Sequence, residues 1–173
     1  MKRLKITIAL LFLPMVVSEA HAEMVFIGWG APAEIRLRVG APVGITMVTH
    51  SVPAANVGDG TPVAGTPNSV LIEASARRAN IWQAIFTRFI ISVDSSTPLS
   101  SGGNTISFTD ISWTAQDGDI PSGSFSGTSG QVILGPTRAF LQVRDWHTFY
   151  YNNVRIVPYG TYTGRVTYTA AIP

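Results

Sequence analysis

The chain has 173 residues, 12 basic against 10 acidic side chains, and no cysteine. The lack of cysteine excludes disulfides, thiol catalysis and cysteine-ligated metal. The basic residues form no stripe of the kind nucleic acid requires, so no nucleic-acid partner is expected.

Residues 1–22 read as a cleavable signal peptide. Met1-Lys2-Arg3-Leu4-Lys5 is a basic start, Ile6 to Val17 is an apolar run broken only by Thr7 and Pro14, and Ala20-His21-Ala22 has the A-x-A form of a cleavage site. The run is too short to span a bilayer comfortably, so no membrane span is expected after cleavage. A buried N-terminal helix is the alternative. Cleavage takes three of the 12 basic and one of the 10 acidic residues, leaving nine of each in 151 residues. All nine remaining cations are arginine. The sequence pI near 9.2 therefore belongs largely to the leader and is no argument for anionic partners. Residues 23–173 suit one domain, exported to the periplasm, a fimbrium or the cell surface.

The expected domain start, Met24-Val25-Phe26-Ile27-Gly28-Trp29, is apolar where termini are usually polar and frayed. It calls for a sheet to dock into, either its own or a neighbour's. Glu34 to Val39 alternates strictly, Ile35, Leu37 and Val39 against Glu34, Arg36 and Arg38, and predicts a strand with one wet face. Ile45 to Val52 predicts a strand of mixed phase, Pro53 to Asn68 a loop punctuated by Gly and Pro, and Val70 to Ser75 a short strand. Ile81 to Val93 satisfies both a helical stripe and an alternating pattern. Its β-branched and aromatic content favours strand, with helix as the alternative.

Ser95 to Asn104 predicts a loop. Ile106 and Phe108 have one phase while Ile111, Trp113 and Ala115 have the other, as a β-bulge at Thr109-Asp110 would produce. Gln116-Asp117-Gly118-Asp119 predicts a hairpin turn, Ser124 to Thr128 and Gln131 to Leu134 short strands, and Phe140 to Val143 and Trp146 to Tyr151 two more before an Asn152-Asn153 turn. In the last stretch Tyr162, Gly164, Val166, Tyr168, Ala170 and Ile172 share one face of a half-buried terminal strand. About seven to nine short strands at this spacing predict an all-β, immunoglobulin-like antiparallel sandwich.

The residues carry little catalytic chemistry. His50 and His147 are the histidines beyond residue 22, and neither lies near a carboxylate-rich motif. Asp145-Trp146-His147 reads as a solvated turn pair rather than an acid–base pair. Asp117 and Asp119 flank a glycine, yet lack the fuller acidic loop that calcium requires. No enzyme, cofactor or metal is expected. Trp82 and Trp113 read as core residues, one per sheet. Trp146, Phe149, Tyr150 and Tyr151 read as core and cross-strand pairs of a central strand; the alternative is a sugar-stacking platform built on Trp146 and Tyr150.

Phe149-Tyr150-Tyr151-Asn152-Asn153, followed by Val157-Pro158-Tyr159-Gly160-Thr161-Tyr162-Thr163-Gly164-Arg165-Val166-Thr167-Tyr168-Thr169, resembles the closing strand of bacterial surface β-sandwich subunits. It is similar to fimbrial chaperone–usher pilins and their spore-coat-U-like relatives, and to the end of the WxL surface domain, whose paired W-x-L motifs are absent here. The pilin resemblance implies an incomplete immunoglobulin-like fold completed by a neighbour's N-terminal extension. It further implies other subunits as partners, with a periplasmic chaperone and an usher. Met24 to Trp29 would be the donor strand. The expected function is therefore a non-enzymatic assembly subunit, the alternative a self-contained secreted or periplasmic ligand-binding module, for example for carbohydrate.

Overall fold

The computed structural model describes residues 34–40, 47–78, 81–139 and 141–173. The expected leader, residues 1–22, and the expected donor segment, Met24–Trp29, lie outside the described residues. What is described is all-β and antiparallel apart from one short α-helix and two 3-10 turns. In chain order the elements are β1 (Glu34–Val39), β2 (His50–Val52), β3 (Val63–Ala64), β4 (Val70–Arg77), α1 (Ile81–Phe86) and β5 (Arg88–Asp94). There follow β6 (Leu99–Ser101), β7 (Asn104–Ile106), β8 (Ile111–Ala115), β9 (Gly123–Ser124), β10 (Gln131–Arg138), β11 (Gln142–Tyr151), β12 (Gly160–Tyr162) and β13 (Thr167–Ala171).

β11 is the spine. It lies between β4 and β8 in a six-stranded sheet of order β1-β4-β11-β8-β9, and β3 also pairs with it. Its ten residues span about 30 Å at the usual strand rise. Alternation sends Val143, Asp145, His147, Phe149 and Tyr151 into the core and leaves Trp146, Thr148 and Tyr150 half-buried on the outer face. A second sheet, β10-β5-β13, has three strands. Phe89 and Ile91 on β5, Leu134 on β10 and Ala170 on β13 pack against Ile35, Leu37, Ile72 and Ala74 of the larger sheet. Burying each large apolar side chain here contributes about 2–3 kcal/mol.

A second cluster, with Val93, Phe108, Ile111, Trp113, Phe125, Phe149, Tyr151 and Tyr162, fills the other half of the molecule. Val39, Ile133 and Tyr168 pack against both clusters and join them. Two ribbons, β2–β12 and β6–β7, close this half. A bridge between Ser100 and Thr163 ties the ribbons together, with Ser100 N donating to Thr163 O at 2.8 Å and Thr163 N to Ser100 O at 3.1 Å.

Several expectations are corrected. Ile81 to Val93 is not one strand: Ile81–Phe86 is helix, Thr87 is a break and Arg88 begins β5. Both periodicities in that stretch were real, one for each half. Ser95 to Asn104 is not wholly loop, because β6 and β7 pair as a hairpin there. The phase change at Thr109-Asp110 is a single 3-10 turn, Phe108–Asp110, rather than a bulge, with Ser107 Oγ capping the Thr109 amide at 3.2 Å. It reorients the chain between β7 and β8, so the two phases belong to different sheets. The stretch before Asn152 is one continuous strand where two were expected, and of the described residues 47–52 His50–Val52 form the strand.

The terminal strand is also divided. β12 pairs with β2 and β13 with β5, so residues 163–166 carry the chain from one sheet to another. Gly164 permits the crossing. A Cβ there would lie 2.9 Å from Leu99 Cγ and 3.0 Å from Leu99 Cα, closer than packed carbons tolerate.

Candidate functional site

β11 gathers the side chains with most chemical potential. Asp145 and His147 are wholly buried, which corrects the expectation of a solvated turn pair. Two residues apart on a strand, they share the inward face. Asp145 Oδ1 accepts the amides of Gln116 at 3.0 Å and Asp117 at 2.9 Å, and Oδ2 accepts that of Ile120 at 3.0 Å. Burial alone would raise this carboxyl; the three amides and the nearby His147 outweigh it and hold it below its ordinary range.

His147 Nε2 lies 3.3 Å from the Ile120 carbonyl. A carbonyl only accepts, so Nε2 carries the proton, and Nδ1 is buried without a hydrogen-bond partner. The ring stacks on Trp113 with centroids 6.0 Å apart. Burial lowers its pKa, against the opposing pull of Asp145 and Ile120. His50 is buried too, its Nδ1 3.4 Å from Val63 O, and burial likewise lowers its pKa. These groups hold loops and fill the core. Among the described residues no three His, Asp or Glu side chains cluster as a metal ion would need.

Of the aromatics, Phe149 and Tyr151 point into the core, while Trp146 and Tyr150 share the outer face. Trp146 stands opposite Leu71 on β4, and Tyr150 opposite Ala64 and Ser112. Among the terminal-strand residues, Tyr162 is buried with its hydroxyl donating to Pro158 O at 2.8 Å. Val166 packs on the second cluster, Ile172 on the first and Tyr168 on both.

The sheet edges are the other feature with functional content. Among the described residues β13 pairs only with β5, and β1 only with β4, and the two strands lie beside each other. No protein family, curated protein or solved structure matches this chain. A functional reading rests therefore on the geometry.

Two further places were missed by the sequence reading. Trp82 is 67 % exposed on α1, not in the core as expected, and Phe86 beside it is 77 % exposed. The signal was present: a helix of only six residues cannot bury a full stripe, and Trp82 and Phe86 stand on its exposed side. At the opposite end of the molecule a cleft of about 340 Å³ is lined by Ser95, Pro98, Ile106, Phe108, Asp110 and Arg155, among others. Arg155 Nε meets Asp110 Oδ2 at 2.9 Å within it. Nothing in local sequence links residues 45 positions apart through a shared cleft.

Proposed function

We propose that the chain is an exported, non-enzymatic assembly subunit of a fimbria-like or other cell-surface structure, built on an immunoglobulin-like sandwich that accepts a strand from a neighbour. The observation that carries this reading is the imbalance of the sheets. A six-stranded sheet faces one of three strands, whose edge strand β13 has no partner beyond β5 among the described residues. An open edge offers a row of main-chain donors and acceptors to an extended segment, while alternate side chains fill the groove. The apolar sequence Met24 to Trp29, followed within five residues by β1, suits such a segment, with Gly28 for a shallow part of the groove. A chaperone and usher would be the assembly partners.

The test removes residues 23–30 from the exported chain and supplies them as a peptide. Hydrogen exchange of the β13 amides and size-exclusion chromatography report the result. Protection of β13 by the peptide, with loss of polymerisation in the truncated chain, is expected. A truncated chain that assembles like the intact one overturns the reading.

A second reading, a self-contained carbohydrate-binding module, draws on Trp146 and Tyr150 sharing the outer face of β11. Quenching of tryptophan fluorescence by soluble glycans, lost in Trp146→Ala, would favour it.

A further inference from the structure

The two ends of β11 are chemically opposite. At the Gln142 end stand Arg77, which closes β4, and Arg88, which opens β5 opposite Arg138 of β10. Arg78 follows Arg77, and its Nε is shielded from water with no hydrogen-bond acceptor among the described residues. Between these arginines α1 raises Trp82 and Phe86, four residues apart and therefore neighbours on the helix surface. The acidic residues at this end are Glu34, opposite Arg77 but ion-paired to Arg36, and Glu73, opposite Arg144 and accepting from Gln142 Nε2 at 2.7 Å; the arginines outnumber them. The result is an apolar knob in a basic ring.

Register places the carboxylates at the other end. Asp94 closes β5, Asp110 precedes β8 where it meets the end of β11, and Asp59 accepts from Asn153 Nδ2 at 2.9 Å just beyond Tyr151. Arg155, paired with Asp110, offsets one of the three. The 340 Å³ cleft opens here, with Pro98, Ile106, Phe108 and Val157 for its apolar surface. Asp94 sits at its rim, its Oδ1 accepting from Ser96 Oγ at 2.7 Å. The volume falls in the range that receives ring systems.

We propose that copies of this chain associate end to end, the Trp82–Phe86 knob of one copy entering the Asp110 cleft of the next, with Arg77 and Arg78 facing Asp94. The apolar walls remove the aromatic rings from water, and the surrounding charges orient the approach. Knob and cleft lie at opposite ends, so the contact is heterologous and leaves both ends free to extend a filament. The inference rests on the assembly reading above but uses a different surface from strand addition.

Sedimentation velocity of the purified protein tests it. Association is expected to rise with concentration and to weaken between 0.1 M and 1 M salt, as the screening length falls from about 10 to about 3 Å. Arg77→Glu with Arg78→Glu, and separately Asp94→Lys with Ser96→Lys, should each weaken association about tenfold or more. An equimolar mixture of the two variants should regain pairing, because the native knob of one meets the native cleft of the other. Phe86→Ser, at an exposed position that the core does not use, provides a variant independent of charge and should weaken association as well.

A native protein that is monomeric at every concentration overturns the proposal. So do charge variants that assemble like the native chain, and in that case strand addition, read separately by the peptide experiment, still stands. Arginine-dependent binding of a monomeric protein to vesicles rich in anionic lipid would instead assign the knob to a membrane surface.

Discussion

Asp145 accepts the amide of Ile120 at 3.0 Å across 25 residues of sequence, from a wholly buried position on the neighbouring strand. With the Gln116 and Asp117 amides on its other oxygen, this carboxylate supplies acceptors that the 116–120 loop cannot supply itself. Asp119 adds a reciprocal bond, its Oδ2 accepting from Arg144 N at 3.0 Å. The loop between β8 and β9 is thus held from β11 as well as by its own bond from Ala115 N to Ser122 Oγ at 2.8 Å.

Removing that carboxylate should be costly. Asp145→Ala leaves the Asp117 and Ile120 amides without their acceptor, while Gln116 N keeps the Trp146 carbonyl at 3.0 Å, and a loss of about 2–3 kcal/mol is expected. Asp145→Asn keeps the shape but turns one acceptor into a donor, so it should fall between alanine and native. Urea unfolding measures both, and hydrogen exchange should accelerate first at Asp117 and Ile120. A native-like midpoint for Asp145→Ala would refute the scaffolding role.

The buried histidines make stability pH-dependent. Burial lowers the pKa of His50 and His147 in the fold, whereas in the unfolded chain each titrates near about 6.5. The unfolded state therefore binds more protons as pH falls, so the contribution is complete above about pH 6.5 and is lost progressively below it. Asp145, held below its ordinary range, has its contribution intact above about pH 4 and loses it on further acidification. Unfolding free energy measured from pH 8 to pH 3 should fall in two limbs. The double variant His50→Gln with His147→Gln should flatten the upper limb and leave the lower one.

Asn153 is a second long-range anchor. It adopts a left-handed backbone with φ 52°, and its side-chain oxygen accepts from Gly58 N at 2.9 Å. Its own carbonyl accepts from Gly60 N at 2.9 Å. Asn153→Ala loses the side-chain bonds and strains the backbone, for an expected cost of about 2–3 kcal/mol. Asn153→Gly loses the bonds but not the conformation, and thermal unfolding should show it to be the milder change. The reverse order would mean that backbone strain plays no part.

The division of the terminal stretch gives a contrast of two positions. Ala170 is buried in the first cluster, whereas Thr167, on the same strand, is exposed. Ala170→Asp should cost several kcal/mol and leave little folded protein, because its carboxylate would lie in the core without a partner. Thr167→Asp should shift the midpoint by less than about 1 kcal/mol. Circular dichroism during urea unfolding separates the two, and equal effects would mean that β13 is buried on both faces.

The sequence by itself determined the all-β class, the wet and dry faces of β1, the central place of the Trp146–Tyr151 stretch and most of β4. Those features are set by local alternation and by β-branched or aromatic content, which nearest neighbours along the chain already encode. The tertiary structure alone decided where continuous patterns break. Residues 161–172 alternate without interruption in sequence, yet the chain changes sheets at Gly164, where glycine lets it pass against Leu99. It also decided that Asp145 is a buried loop anchor and not a solvated turn residue, since its partners come from 25 to 29 residues away. Trp82 shows the same rule in reverse. An apolar residue is a core residue only if another element arrives to cover it, and no pattern within its own stretch records whether one does.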